Sequence, residues 1–260
     1  MDLGLGGKVA LVTGSSRGIG RGIALALSAA GCDLVLTARD RSALDEAAMS
    51  IRANGRKPIV VTLDLRQDGA PERLVETARA EFGGLDILVN NAGTTKRGDF
   101  FALTDADWQD GFGLKLFAHV RLARAAWPLL KERKGALVAI GGTSGRKPHA
   151  SFTIGSSVNA ACAAFSKALA DLGKEDGVRV NCIHPSLVET ERQWRRIRAE
   201  VERTGESQAA VRDRIARETG IIRFGTVEDV ADLVTFLVSA RASWLTGATI
   251  DLDGGEIPVL

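Results

Sequence analysis

Short apolar, β-branched runs alternate along this chain with longer stretches in which apolar residues recur every three or four positions. The runs at 8–12, 33–38, 58–63, 86–89, 136–140, 178–183 and 248–252 predict seven strands. Helical periodicity between them predicts helices near 21–30, 42–53, 70–82, 105–132, 156–172 and 227–239, the fourth long enough to be two. Strands that are apolar throughout, with helices between them, predict a parallel sheet covered on both faces. One stretch departs from this rhythm. Residues 190–222 are densely charged and carry two helical patterns broken at Thr204 to Ser207, which predicts a helical insertion over one end of the sheet. No linker, repeat or low-complexity tract interrupts the 260 residues, so one domain over 1–260 is expected.

The first strand runs into Thr13-Gly14-Ser15-Ser16-Arg17-Gly18-Ile19-Gly20, and a helical pattern follows from Ile23 to Ala30. Glycines at 14, 18 and 20 let the backbone turn sharply and approach a pyrophosphate. The helix N-terminus beyond them offers unpaired N–H groups and a positive dipole end. Strand, glycine turn and helix in this order predict a dinucleotide site on a doubly wound, Rossmann-type α/β sheet. The second strand ends Thr37-Ala38-Arg39. An NAD site usually places an acid there for the ribose 2′-hydroxyl, whereas an NADP site removes the acid and supplies a cation. With Ala38 and Arg39 at that point, and Arg17 able to bring a second guanidinium, NADP(H) is favoured over NAD(H). A solvated loop charge is the other reading of Arg39.

Composition narrows the partners. A formal net charge of +2 with no polybasic tail argues against nucleic acid. Cys32, Cys162 and Cys182 are scattered, without metal-ligand spacing, and predict small core residues in a reducing compartment, with no disulfide and no metal. The first residues lack the pattern of a cleaved leader and no apolar run reaches membrane-spanning length, so a cytoplasmic protein with no membrane partner is expected.

Taken together the motifs resemble the short-chain dehydrogenase/reductase family, close to the classical type that includes the acyl-carrier-protein ketoreductases. The resemblance covers nearly the whole chain. It rests on Thr13 to Gly20, on Asp64-Leu65, on Asn90-Asn91-Ala92-Gly93, on Arg179-Val180-Asn181 leading to Pro185, on Thr190, on Phe224 to Ala231 and on Asp253-Gly254-Gly255. It implies that Asp64 contacts the adenine, that Asn90 to Gly93 support the sheet and cofactor, and that Thr190 meets the nicotinamide carboxamide. It also implies a homotetramer or homodimer joined through the helices at 105–132 and 156–172. Ser186 departs from the family's usual glycine.

The family's chemistry uses an Asn, a Ser and a Tyr-x-x-x-Lys pair, and spacing locates all four positions. Seven residues after Trp108 (115 − 108) the asparagine position holds Lys115. The serine position after the fifth strand holds Gly142, the tyrosine position thirteen residues on (155 − 142) holds Gly155, and the lysine position holds Asn159. The register agrees from the other side, because Asn181 follows position 159 by the family's twenty-two residues (181 − 159). The chain contains no tyrosine at all, so no shift of register supplies one. A positioned acid is worth about 10²- to 10⁴-fold in rate, so carbonyl reduction by the family's usual route would be crippled.

Substitutes are available. Lys115 is read either as a desolvated lysine able to act as acid or base or as a helix lysine paired or reaching solvent. Thr143 and Ser144 are read as hydroxyl donors or as turn caps, and His149 as a proton carrier or a surface-loop residue. His119 and His184 read as structural. The small side chains at 142, 155 and 159 predict an enlarged pocket bounded by Lys115, Thr143, Ser144 and His149. In the insertion, Trp194, Ile197 and Val201 form one apolar helical face that would close on substrate. Arg192, Arg195, Arg196, Arg198 and Arg203 suit an anionic small molecule, with a salt-bridged helix as the alternative. Three classes of function remain open: an NADP(H)-dependent oxidoreductase with a substitute proton donor, a non-redox lyase or hydratase, and a nucleotide-binding sensor or partner protein without catalysis.

Overall fold

A computed structural model describes residues 2–258. The described residues form seven strands, β1 (Val9–Thr13), β2 (Asp33–Ala38), β3 (Pro58–Thr62), β4 (Ile87–Asn90), β5 (Ala136–Ile140), β6 (Arg179–Pro185) and β7 (Thr249–Leu252). They pair in the order β3-β2-β1-β4-β5-β6-β7, every pair parallel. The helices are α1 (Gly18–Ala29), α2 (Arg41–Ala53), α3 (Ala70–Phe82), α4 (Asp105–Phe112), α5 (Ala118–Arg133), α6 (Thr153–Asp176), α7 (Glu191–Thr204), α8 (Gln208–Thr219) and α9 (Val227–Val238). The seven-stranded α/β fold expected from the sequence is present. None of the described helices is long and apolar enough to cross a membrane.

Side chains leave β1 alternately to its two faces, and both faces are buried. Ala10 and Val12 join Leu27, Leu36, Ala47 and Val234 in one core, while Val9 and Leu11 join Leu74, Leu88, Leu122 and Leu137 in the other. Two buried faces explain why these strands read as unbroken apolar runs. Cys32, Cys162 and Cys182 are buried and unpaired. The chain crosses to opposite faces on either side of the β1–β4 junction, which leaves a crevice at the carboxyl ends of those strands.

The stretch expected to be one or two helices is two, joined by a π-helical turn at Gly113–Phe117. The break in the charged insertion falls where expected, since α7 ends at Thr204 and α8 begins at Gln208. Its apolar face, however, is not turned to a substrate. Ile197, with Trp194 and Val201 beside it, packs against Val211, Ile221 and Phe224, a small core internal to the insertion. Two short helices apart from the main sheet must bury their apolar stripe against each other.

The glycine turn shows how tightly this crevice is built. A methyl group on Gly20 would overlap the Gly14 carbonyl and the Asn91 amide. Gly20→Ala is therefore expected to destabilise the protein by about 1–3 kcal/mol through overpacking, against the ~1 kcal/mol alanine ordinarily gains over glycine in a helix. Urea denaturation measures the balance; a more stable variant would refute the tight fit.

Candidate active site

The cofactor end of the crevice is backbone held by side chains. Gly14 and Gly18 have φ of 66° and 54°, values that favour glycine, and they swing the chain from β1 into α1. Asn91 Nδ2 donates to the Thr13 carbonyl at 2.8 Å, and Thr13 Oγ1 accepts from the Asn91 and Ala92 amides at 2.9 Å each. The turn and the end of β4 are thus one unit. Ser15 Oγ accepts from the Thr37 amide at 3.0 Å and ties the turn to β2 as well; the sequence reading overlooked both Thr13 and Ser15 in this role. Ser16 is buried, and Ile19 packs on the core below.

Helix α1 has neither a side-chain cap nor an acid in its first turn, so its N-terminal N–H groups face the crevice with no competing carboxylate. Arg17 and Arg39 are exposed. Asp64, beside the buried Leu65, is gripped by Arg66, which holds its carboxyl below the ordinary aspartate range. Thr190 stands across the turn: a methyl on Gly18 would lie 3.4 Å from its Cγ2. Pro185 closes β6, and Ser186, at the family's glycine position, donates to Glu256. A glycine cradle with free helix N–H groups and no acid at the end of β2 fits a dinucleotide bearing an extra phosphate.

Lys115 enters from the other side, on the π-helical turn. The wider turn leaves the Lys115 carbonyl free to accept the Cys162 thiol at 3.3 Å, which fixes the segment against α6. Its stem lies over Gly93, where a Cβ would stand 2.9 Å from Lys115 Cδ. The ammonium reaches the carboxyl end of β5 and donates to the Gly141 carbonyl at 3.1 Å. No carboxylate of the described residues lies within ion-pair distance of it. Loss of hydration pushes its pKa below the ordinary lysine value, and the nearby Arg192 acts in the same direction.

The wall opposite is not the open space expected. A Cβ on Gly155 would overlap the ring of Phe152, and one on Gly142 would come 2.8 Å from Asn159 Nδ2. The sequence reading passed over Phe152, whose place beside Gly155 depends on the short turn at Ala150–Phe152 that precedes α6. Asn159 is buried and donates to Ser144 Oγ at 2.8 Å; Thr143 is buried in the same turn. His149 is exposed, its Nδ1 accepting from the Ser151 amide at 3.2 Å, so it caps the turn before α6. His119 is buried with Nε2 3.0 Å from the Ala92 carbonyl and its pKa held down to about 4 by burial. His184 is buried beside Gly141, with Nδ1 3.5 Å from Asp251.

Residues 14–256 match the profile of the family described as enoyl-(acyl carrier protein) reductase. The chain belongs to the short-chain dehydrogenase/reductase family. It is 34% identical over 250 residues to the 3-oxoacyl-[acyl-carrier-protein] reductase FabG of Salmonella typhimurium, covering 96% of this chain and 97% of that protein. The L-sorbose reductase of Gluconobacter frateurii, solved with NADPH and L-sorbose, superposes over the whole of both chains with a TM-score of 0.96 at 36% identity. A 7α-hydroxysteroid dehydrogenase complexed with NADH and 7-oxo glycochenodeoxycholic acid superposes with a TM-score of 0.89 at 27% identity, covering 100% of this chain and 98% of that one. Members of the family with this fold are thus solved with either dinucleotide.

The half-buried ammonium has a consequence for stability. The native chain releases the Lys115 proton at lower pH than the unfolded chain, so between the two values the unfolded state binds more protons and stability rises with pH, up to about 10.4. Lys115→Met keeps the stem and removes the charge. The stability of this variant relative to the parent is expected to fall as pH rises from about 7 to 10; urea denaturation along that series measures it, and a constant difference would mean that the ammonium is solvated.

Proposed function

We propose that this protein is an NADP(H)-dependent oxidoreductase of a small carbonyl or alcohol substrate, in which Lys115 replaces the family's tyrosine as proton carrier. The carrying observation is the Lys115 ammonium, directed at the Gly141 carbonyl without a carboxylate partner, in a chain that contains no tyrosine. Gly142, Gly155 and Asn159 stand at the other positions of the family's catalytic set. NADP(H), when bound, supplies the hydride for reduction or accepts it in oxidation. Lys115 Nζ holds the proton that the substrate oxygen needs as it becomes an alcohol, and retrieves it in the reverse direction. A desolvated amine suits this, because its pKa moves toward the working pH. Asn159, Ser144 and Thr143 supply the polar wall, and His149 stays with the loop.

The cofactor-side assignments follow the same reading. Gly14, Ser16, Gly18, Ile19 and Gly20 approach the pyrophosphate, Arg17 and Arg39 take the 2′-phosphate, Asp64 and Leu65 border the adenine, and Asn91, Ala92, Gly93, Pro185 and Thr190 border the nicotinamide half. Residues 190–222 form the lid of a single domain, and its cationic inner face suits an anionic substrate. Phe117 and Leu172 are half-exposed on helical segments expected to join subunits of a homodimer or homotetramer.

Two measurements test this. Arg39→Ala is expected to weaken NADPH binding by about 10-fold, the worth of a charge-assisted contact, and to leave NADH binding unchanged. Equal parental affinities for the two dinucleotides in calorimetry would remove the cofactor assignment. With L-sorbose and 3-oxoacyl thioesters as trial substrates, Lys115→Ala is expected to lower kcat by about 10²- to 10⁴-fold with little change in NADPH affinity, the pattern of a lost transition-state contact. Unchanged turnover would exclude lysine as the proton carrier.

A further inference from the structure

The lid sorts its arginines by the company they keep. Arg198 pairs with Glu191, Arg203 with Glu200, Arg212 with Glu189, and Arg214 with Glu200, Glu206 and Glu218. Arg196, on the same helix as Arg198 and Arg203, has no acid partner among the described residues. Its Nη1 donates to Oε1 of the buried Gln193 at 3.2 Å, which orients the guanidinium and leaves its charge uncompensated. Arg97, on the loop after β4, is in the same position. Its Nη1 donates to Ser151 Oγ at 3.2 Å, its guanidinium lies 4.0 Å from the centre of the Phe152 ring, and it too has no acid partner among the described residues. Arg192, one turn before Arg196 on α7, donates to the Gly93 carbonyl at 3.4 Å, so this face of the helix runs along the loop that carries Arg97, whose pKa is held down by burial and further by the Arg196 charge. Like charges brought together on separate elements, each oriented by a neutral neighbour, form a site that an anion would relieve.

We infer that Arg97 and Arg196 form a clamp for the carboxylate of a small oxo acid, built on the shelf that Phe152 makes over Gly155. Phe152 occupies the space where a Gly155 side chain would stand, so the shelf borders the same wall as Gly142 and Asn159. A substrate held there by its carboxylate would present its carbonyl to the interior of the crevice, toward Lys115. Planar guanidinium forks from two directions match a carboxylate better than a point charge would. Arg192, one turn nearer the start of α7, donates to the Gly93 carbonyl and is left, with Arg17 of the glycine turn, to the cofactor phosphates. The inference deepens the oxidoreductase reading and rests on it.

The test uses the intact chain saturated with NADP⁺. Calorimetric titration with acetoacetate and levulinate, each against its methyl ester, is expected to show the acids binding at least about 10-fold more tightly. Arg97→Gln and Arg196→Gln should each abolish that preference without changing NADP⁺ affinity or Tm, and Arg97→Lys should restore only part of it. Acid and ester binding equally, either glutamine variant keeping the preference, or inorganic phosphate competing as tightly as the acids would overturn the clamp. Failure to bind NADP⁺ at all would instead strike the oxidoreductase reading and take the clamp with it.

Discussion

The close approach of the Thr13–Gly20 turn to the end of β4 is the constraint on which the rest of the crevice depends. Gly20 stacks on the Gly14 carbonyl and the Asn91 amide with no room for a methyl group, and Asn91 and Thr13 exchange the hydrogen bonds that would otherwise be left open at two strand ends. Because these groups belong to neighbouring strands, the turn cannot move without breaking the β1–β4 pairing. Thr190 rests against the same turn and continues into α7, so the position of the α7–α8 insertion is referred to the glycine motif. The cradle is rigid because the sheet is.

On the opposite side the crevice is arranged around one cation. The π-helical turn delivers Lys115 over Gly93 to the Gly141 carbonyl, among buried cysteines, a histidine held down to about 4 and a carbonyl, with the Arg192 charge nearby and no carboxylate among the described residues paired with it. An ammonium in that setting is destabilised relative to water, which moves the Lys115 pKa below the ordinary lysine value. The opposing wall is filled rather than hollow, since Phe152 covers Gly155 and Asn159 closes on Gly142. The space a side chain at 155 would need is taken by Phe152, which enters from the preceding turn.

Charge in the α7–α8 insertion follows the same economy of partners. Several of its arginines are matched by glutamates of their own helix, and Arg214 of α8 reaches Glu200 of α7 across the small core around Ile197 and Val211. Exposed pairs of this kind add little stability individually, and a network that ties two short helices together contributes through geometry. Arg192, Arg195 and Arg196 of α7 and Arg217 of α8 have no such partner among the described residues, so the insertion leaves part of its positive charge unneutralised.

Much of this was legible from residue order alone. The alternation of apolar runs with helical periods reflects strands buried on two faces and helices buried on one, so all seven strands could be located within a residue or two and the break between α7 and α8 could be placed. The glycine spacing reports a backbone approach that no other residue type permits, and the identities at 115, 142, 155 and 159 are visible by counting. What could not be counted was where neighbouring side chains would go. Whether the Trp194–Ile197–Val201 face meets a substrate or α8, whether Gly155 leaves a hole or receives Phe152, and which lid arginines find a glutamate all depend on contacts between segments distant in sequence. Periodicity records how much of a helix is buried, but only the tertiary packing decides against what, because burial is satisfied equally by any apolar partner, and an ion pair by whichever opposite charge the fold brings within reach.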